Sequence, residues 1–210
     1  MKVLAINGSP KKNGNTAFAL QTVLGELERA GIQTETVHVG IKAIRGCIAC
    51  GSCARSQDSS CALDDGANEW IKKMIEAEGI VIGSPVYYAG INGTLKSFLD
   101  RAFYVAGANG RKMRHKVGAG VVVARRGGTT ASLDQLNKYF TIAEMLMPSS
   151  NYWNMIHGAA PNEATGDLEG VQTMRVLGQN MAWLLKVLDY AKGHVPEPEA
   201  EQKVFTNFIR

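Results

Sequence analysis

The sequence predicts an α/β fold in which helices cover both faces of a parallel β-sheet. Short apolar runs bounded by glycine or proline, such as GIVIGS and VGAGVVVA, are typical of strands that are buried on both faces. Longer segments with apolar residues at helical spacing alternate with these runs along the chain. Consecutive strand–helix–strand units with right-handed crossovers therefore predict a doubly wound sheet.

Five strands and five helices follow one another in order. The strands are predicted at Lys2 to Asn7, Gln33 to Val39, Gly79 to Ser84, Val117 to Ala124 and Tyr152 to Ile156. The helices are predicted at Asn15 to Ala30, after Asp64 and Asp65, and at Asn92 to Tyr104, Ser132 to Met147 and Leu168 to Ala191. Of the two common doubly wound strand orders, five strands favour the flavodoxin-like order over the six-stranded dinucleotide-binding order.

The length of 210 residues favours one main domain with a small appendage. We predict a domain over residues 1–192, with an inserted loop over residues 46–61 that contains all four cysteines. Residues 193–210 are predicted as a C-terminal arm, because the segment after Gly193 is rich in proline and glutamate. Val204 and Phe205, followed by Phe208 and Ile209, suggest that the end of this arm docks on another surface, such as a partner subunit.

Composition excludes several classes of function. The net charge of +4 is modest, and its main basic cluster, RKMRHK at 111–116, carries no nucleic-acid-binding signature. This cluster is either a solvated face or a site that attracts phosphates or an acidic partner. Without about 18 consecutive apolar residues, no membrane span is predicted. The apolar run after Lys2 is too short for a signal peptide, so we expect a cytoplasmic protein in which stable disulfides are disfavoured.

Ligands of doubly wound sheets bind beyond the carboxyl ends of the strands, which directs attention to three loops. The first, NGSPKKNGNT, follows a strand and opens a helix, where free backbone N–H groups and the helix dipole favour an anion. Ser9, Asn15 and Thr16 add polar groups, Lys11 adds charge, and Gly14 permits a tight turn. The loop is neither a Walker A motif nor a G-x-G-x-x-G fingerprint. It predicts a phosphate site, with an ordinary turn and helix cap as the alternative.

The second and third loops have the composition of a site for a flat heterocycle. Tyr87 and Tyr88 follow the central strand, and either ring can stack on a ligand, unless both are plain rim residues. The third loop, ARRGGTT, brings two glycines, Gly127 and Gly128, after another strand, where the backbone can approach the same ligand closely.

Three separated blocks of the sequence, GSPKKNGNT, the cysteine loop with the following LDD, and GSPVYYAGINGTLKSFLDR, carry a family resemblance. Together they resemble the NAD(P)H-dependent FMN reductase and iron–sulfur flavoprotein group of flavodoxin-like proteins. The resemblance implies that residues 1–192 bind FMN and that members form homodimers or homotetramers. It places the phosphate on Ser9, Lys11, Asn13, Gly14, Asn15 and Thr16, and the isoalloxazine ring against Pro85, Val86, Tyr87, Tyr88, Gly127 and Gly128. Arg125 and Arg126 depart from the small residues common in the third loop; they either face solvent or place positive charge near the flavin or the 2′-phosphate of NADPH.

The four cysteines, Cys47, Cys50, Cys53 and Cys61, have the spacing C-x2-C-x2-C-x7-C. Three thiolates within seven residues suit a 4Fe–4S cluster, whereas structural zinc more often uses two separated pairs. Bacterial ferredoxins have a shorter last gap and a following proline, where this chain has Ala62. In the resembled iron–sulfur flavoproteins such a cluster exchanges electrons with FMN, while related flavoproteins carry none. The sequence therefore leaves three alternatives for the four cysteines: an iron–sulfur cluster, free thiols, and either zinc or a disulfide.

The leading functional hypothesis is an NAD(P)H-dependent FMN oxidoreductase that reduces a flavin, a quinone or a similar small acceptor. The flavin supplies the reactive chemistry in such an enzyme, so no catalytic acid or base is assigned. The alternative is an electron carrier between ferredoxin and an acceptor, through the cluster and FMN. A regulatory module that uses the phosphate loop for another ligand is a third hypothesis.

Overall fold

A computed structural model describes residues 1–209. Its strands are β1 (Lys2–Asn7), β2 (Gln33–His38), β3 (Gly79–Tyr87), β4 (Gly90–Ile91), β5 (Val117–Ala124) and β6 (Met155–His157). Its α-helices are α1 (Asn15–Arg29), α2 (Ser52–Ser56), α3 (Ala67–Glu76), α4 (Gly93–Ala108), α5 (Thr129–Ile142) and α6 (Leu168–Ala191). A single 3₁₀ turn, Glu163–Gly166, precedes α6 in this part of the chain.

The main sheet has the strand order β2-β1-β3-β5-β6, and all four pairings in it are parallel. The short β4 lies outside this order and pairs antiparallel with the end of β3. The chain thus starts in the middle of the sheet, builds one side, and then crosses β1 to build the other. This is the predicted flavodoxin-like order, in which β1 and β3 mark the switch point.

Helices pack against both faces of the sheet. Because side chains alternate along a strand, Val3 and Ala5 of β1 join one apolar cluster while Leu4 and Ile6 join the other. The cluster around Val3 contains α1 and α6, and the cluster around Leu4 contains α3, α4 and α5. The doubly wound arrangement is therefore confirmed.

Several element boundaries differ from those predicted. Helix α4 continues past Tyr104 to Ala108, and α5 begins at Thr129 rather than Ser132. Gly128 precedes α5 with a φ of 91°, a left-handed conformation that starts the helix earlier than its apolar spacing indicates. The last strand is also shorter than predicted, starting at Met155 instead of Tyr152.

The edge strand β2 is held by a small ion network. Glu35 accepts from Lys2 of β1 at 2.5 Å and from Lys73 of α3 at 2.9 Å. The hydrogen bonds from Lys2 and Lys73 lower the pKa of Glu35 below its usual range. The pairing ties β2 to both its neighbouring strand and the helix that covers it.

The basic cluster at 111–116 lies at the surface and contacts the C-terminal segment there. Arg111 and Arg114 donate to the backbone carbonyls of Glu201 and Pro198, at 2.9 and 2.8 Å. His115 adds a contact of 3.0 Å with Glu197. Residues 193–209 contain no helix or strand, and the division at residue 192 stays a prediction. None of the helices in the described chain is long and apolar enough to cross a bilayer.

Candidate flavin and cysteine site

The three predicted loops meet at the carboxyl edge of the sheet, because β1, β3 and β5 are neighbours. Gly8 donates its N–H to the carbonyl of Gly83 at 2.9 Å, which ties the first loop to the end of β3. A Cβ on Gly128 would lie 2.8 Å from the Cα of Ala89, so the third loop packs directly on the second. The topology therefore brings together the residues that the sequence assigned to one ligand.

The first loop is shaped by contacts among its own residues. Ser9 donates its N–H to Oδ1 of Asn7 at 3.0 Å, and its Oγ accepts from the N–H of Lys11 at 3.1 Å. The ring of His38, at the end of β2, contacts the Ser9 carbonyl at 2.6 Å. Helix α1 then begins at Asn15 after Gly14, and no side chain caps it. The first N–H groups of α1 are thus left for an anion, because they have no intrahelical acceptor.

The side chain of Asn15 is already engaged within the protein. It donates to the carbonyl of Ala160 at 3.0 Å and accepts from the N–H of Ala164 at 3.4 Å. Glu163 holds the same turn by accepting from the N–H groups of Ala159 and Ala160 at 2.6 and 2.7 Å. Asn15 therefore anchors the loop that follows β6 beside the phosphate loop.

The second loop forms a tight hairpin with an exposed aromatic tip. Val86 pairs with Ile91 and Tyr87 with Gly90, which leaves Tyr88 and Ala89 as the two turn residues. Their φ angles are 48° and 58°, as a two-residue turn of this type requires, although glycine or asparagine usually occupies such positions. Tyr88 is fully exposed, and Tyr87 is 47% exposed. The hairpin therefore holds two tyrosine rings at the rim in a strained conformation.

Residues outside the predicted set hold this hairpin in place. The Oγ of Ser84, which is fully buried, accepts from the N–H of Asn92 at 3.0 Å. The side chain of Gln135, on α5, accepts from the N–H of Ile91 at 3.0 Å. In the third loop, Gly127 has open space where a Cβ would be, and Arg125 and Arg126 are exposed beside it.

All four cysteines line one small cavity, as free thiols. Cys47 and Cys50 are exposed, Cys53 is buried, and Cys61 lies between these extremes. The rest of the wall is largely apolar, with Ile48, Leu63, Tyr104 and Val105. The cavity volume is about 20 Å³, roughly the room of one water molecule, so a larger group has to use the open side where Cys47 and Cys50 lie.

The thiol positions do not form a ready-made metal site within residues 1–209: no three His, Cys, Asp or Glu side chains there stand close enough together to hold an ion. A cysteine sulfur moves by rotation about a single side-chain bond. The cavity that the four cysteines share therefore indicates what the loop can bind better than the present sulfur positions do. Four thiols are the ligand set that iron–sulfur clusters use.

The cysteines differ in their electrostatic surroundings. Hydrogen bonds from Ser52 lower the pKa of the exposed Cys50 thiol. Burial, followed by the neighbouring Cys61, raises the pKa of Cys53. The loop thus combines an outer thiol with a lowered pKa and an inner thiol with a raised pKa.

Arg101 is the largest fully buried side chain in the described chain, and it faces the cysteine loop. Its Nε donates to the sulfur of Cys61 at 3.3 Å. Its Nη1 also bonds Asp65 at 2.5 Å. Burial raises the pKa of Asp65, but the hydrogen bond and charge of Arg101, together with hydrogen bonds from the N–H groups of Arg45 and Ala67, outweigh burial and lower it.

Helix α4 connects the two parts of the site. Asn92 caps it next to the tyrosine hairpin, accepting from the N–H of Leu95 at 3.1 Å. Arg101 lies nine residues further along, which corresponds to about 14 Å of helix. At the far end, Asn109 donates to the carbonyl of Cys53 at 3.1 Å. One rigid element therefore spans from the tyrosine hairpin to the cysteine cavity.

Comparison with known proteins identifies the family. The family model for NADPH-dependent FMN reductase matches residues 1–160. An iron–sulfur flavoprotein of Methanocaldococcus jannaschii is 34% identical over 195 residues, which are 90% of this chain and 99% of that protein. An iron–sulfur flavoprotein of Methanosarcina thermophila is 30% identical over 190 residues, or 90% of this chain and 97% of that protein.

Solved structures agree on the fold. The crystal structure of RosB with a bound flavin-derived intermediate matches with a TM-score of 0.72 at 17% identity, covering 100% of this chain and 94% of that one. An archaeal flavodoxin matches with a TM-score of 0.59 at 14% identity, covering 89% and 99%. Such low identities show a shared fold, while the family match also covers the loops described above. The chain belongs to the NADPH-dependent FMN reductase family and is an FMN-dependent oxidoreductase of the flavodoxin-like group.

Proposed function

We propose that FMN binds at the carboxyl edge with its phosphate in the first loop. The free N–H groups at the start of α1 and the polar groups of Ser9 and Thr16 suit a phosphate, and Lys11 and Asn13 are exposed beside them. Gly14 keeps the loop tight, and Asn15 contributes through its backbone N–H, because its side chain holds Ala160. The observation that carries this proposal is the convergence of the three loops on one edge.

The second and third loops hold the isoalloxazine ring in this proposal. Pro85, Val86 and the two tyrosines of the hairpin form one side, and Gly127 and Gly128 close the other. Bound there, FMN supplies hydride and single-electron transfer. The chain positions the ring, limits its contact with water and offers backbone groups to its edge. The substrate is a small redox compound such as a flavin or a quinone.

We further propose that the four cysteines hold a 4Fe–4S cluster on the open side of their cavity. The donor set fits, the wall is apolar, and Ala49 donates its N–H to the sulfur of Cys47 at 3.4 Å. The names of the relatives support the same assignment. Because α4 joins the cavity to the tyrosine hairpin, a cluster there could pass electrons to the flavin, and an electron carrier that accepts from ferredoxin is therefore a second candidate function beside the reductase driven by NAD(P)H. A homodimer or homotetramer and a cytoplasmic location stay predictions.

Ligand titration tests the phosphate loop. Riboflavin lacks the phosphate, so the protein freed of flavin should bind FMN more tightly than riboflavin, measured by quenching of flavin fluorescence. Lys11→Ala should weaken FMN binding by about tenfold, as the loss of a charged hydrogen bond predicts, and leave riboflavin binding unchanged. The adjacent exposed Lys12→Ala is the matched control. If both variants weaken FMN binding equally, Lys11 has no specific role in binding the phosphate.

Anaerobic stopped-flow reduction separates the two electron routes. If the cluster carries electrons to the flavin, reduced ferredoxin should reduce FMN quickly in the parent protein but not in Cys47→Ser, and NADPH should reduce FMN only slowly in either protein. Fast reduction by NADPH in a protein without iron would instead favour the direct reductase.

A further inference from the structure

One buried guanidinium holds both ends of the cysteine loop. Besides Cys61 and Asp65, Arg101 donates to the carbonyl of Arg45 and to that of Leu63, both at 3.1 Å. Arg45 lies two residues before Cys47, and Leu63 lies two residues after Cys61. Four of the five N–H directions of a guanidinium are thereby used, and all four point at the base of the loop.

The two ends of the loop also bond to each other through the same carboxylate. Asp65 accepts from the N–H of Arg45 at 3.2 Å, in addition to its pair with Arg101. The side chain of Arg101 is 0% exposed, and that of Asp65 is 20% exposed. A charge buried in this way is costly unless it is fully hydrogen-bonded, so apolar packing alone would not select arginine here.

We propose that Arg101 is the positioning residue of the cysteine site, closing the loop at its base and presenting a positive N–H donor to the sulfur of Cys61. The inference deepens the cluster proposal and rests on it for its redox consequence. Two effects follow. The clamp fixes the distance between the first three cysteines and the fourth, and the charge stabilises added electron density on the sulfur of Cys61.

A matched pair of variants separates the clamp from a general effect of charge. Arg101→Gln removes the guanidinium, and with it both the set of hydrogen bonds at the base of the loop and the positive charge. Arg45→Gln removes a positive charge of the same kind close to the loop, but keeps the clamp, because only the backbone carbonyl of Arg45 takes part in it. Arg101→Lys retains the positive charge but lacks the planar guanidinium that donates to several acceptors at once. FMN content, measured on each preparation, reports whether the fold persists.

Three readouts apply to protein prepared without oxygen. Arg101→Gln should hold severalfold less iron per FMN than the parent and than Arg45→Gln. Any cluster that it retains should have a more negative reduction potential, measured by titration with dithionite. In iron-free protein at about pH 10, where thiols are largely ionised and the rate reports access to the sulfur, Cys61 should react with iodoacetamide severalfold faster, as followed by peptide mass spectrometry. Arg101→Lys should recover part of the potential but not the iron content.

The thiol readout keeps the clamp testable if the parent protein binds no iron, in which case only the cluster proposal fails. If Arg101→Gln retains FMN and matches Arg45→Gln in iron content, potential and Cys61 alkylation, the positioning role is overturned. If Arg101→Gln loses FMN, the double variant Arg101→Met with Asp65→Asn removes both buried charges, and faster alkylation of Cys61 in it still supports the clamp. An unchanged rate there also overturns it.

Discussion

Replacing Tyr88 with glycine should make the protein more stable and its flavin less tightly bound. A non-glycine residue in the left-handed region costs about 1–2 kcal/mol, and glycine returns about 0.5–1 kcal/mol of that as chain entropy. Tyr88 is fully exposed, so the change sacrifices no buried area in the flavin-free protein. The net gain of about 0.5–1 kcal/mol corresponds to a rise in Tm of about 1–4 °C for a chain of this size.

The same substitution removes a ring from the proposed flavin contact. An aromatic pair contributes about 0.5–1.5 kcal/mol beyond its area, so the Kd of FMN should rise by about two- to tenfold. Thermal melts of the flavin-free protein and FMN titrations measure the two effects separately, because bound flavin would itself raise Tm. Tyr88→Phe, which keeps both ring and turn, is the control and should change neither value.

Two results would refute this reasoning. A flavin-free Tyr88→Gly protein that melts at or below the parent temperature would show that the turn is not strained. An unchanged FMN affinity would show that the ring does not cover the flavin. The strained backbone at Tyr88 would then have no role in flavin binding to account for it.

Three further predictions concern stability in the flavin-free protein. Gly128→Ala should lower Tm by about 4 °C or more, because the left-handed φ and the contact with the hairpin both oppose a Cβ, whereas Gly127→Ala should have little effect. Glu35→Gln should lower Tm by up to about 3 °C at pH 7, and this difference should disappear in acid. Its lysine partners lower the folded-state pKa, so the stabilisation exists above the usual value of 4.5 and is lost as the pH falls through the lower folded value. Deleting residues 193–210 should cost about 1 kcal/mol, because the bonds it removes are exposed, and leave the FMN content unchanged.

Each of these predictions has a contradicting outcome. Equal melting temperatures for the two glycine variants would reject the packing of the third loop on the hairpin. A difference between Glu35→Gln and the parent that stays constant from pH 7 into acid, well below the usual carboxyl value, would reject the titration argument. Loss of FMN from the shortened chain would place the arm in the flavin site, away from the basic cluster it contacts in the monomer.

The strand order was predictable because each element carries its own local pattern. Apolar runs and helical spacing identify strands and helices, and crossover handedness then leaves few topologies. The start of α5 was missed because it depends on the left-handed φ of Gly128, and a glycine in the sequence does not reveal its φ. The same limit hid the strained turn at Tyr88, a residue type rarely found there.

The loops of the site were predictable from the rule for strand ends, but their supports were not. Lys96 and Asp100, four residues apart on α4, form an exposed ion pair at 2.8 Å, whereas Arg101 is one residue further and points about 100° away around the helix, into the core. His38 and Gln135 come from distant elements and carry no motif. A buried arginine with a cysteine partner requires the tertiary fold, because helical spacing describes only neighbours on the same helix.

The basic cluster shows the same dependence on distant partners. A basic run such as RKMRHK is compatible with either a solvated face or an anion site. The sequence shows the charge of these side chains but not which groups lie against them. Arg111 and Arg114 pair with Glu144, and both also donate to carbonyls of the C-terminal segment, more than 80 residues away.

The central claim, that one chain holds FMN at the sheet edge and a cluster in the cysteine cavity, is tested most directly by the composition of protein prepared without oxygen. We predict about four irons and four sulfides per FMN, with a broad absorption shoulder beside the flavin bands that dithionite bleaches. Flavin bands alone, with no bound iron or sulfide, would contradict the account and leave the four cysteines as free thiols.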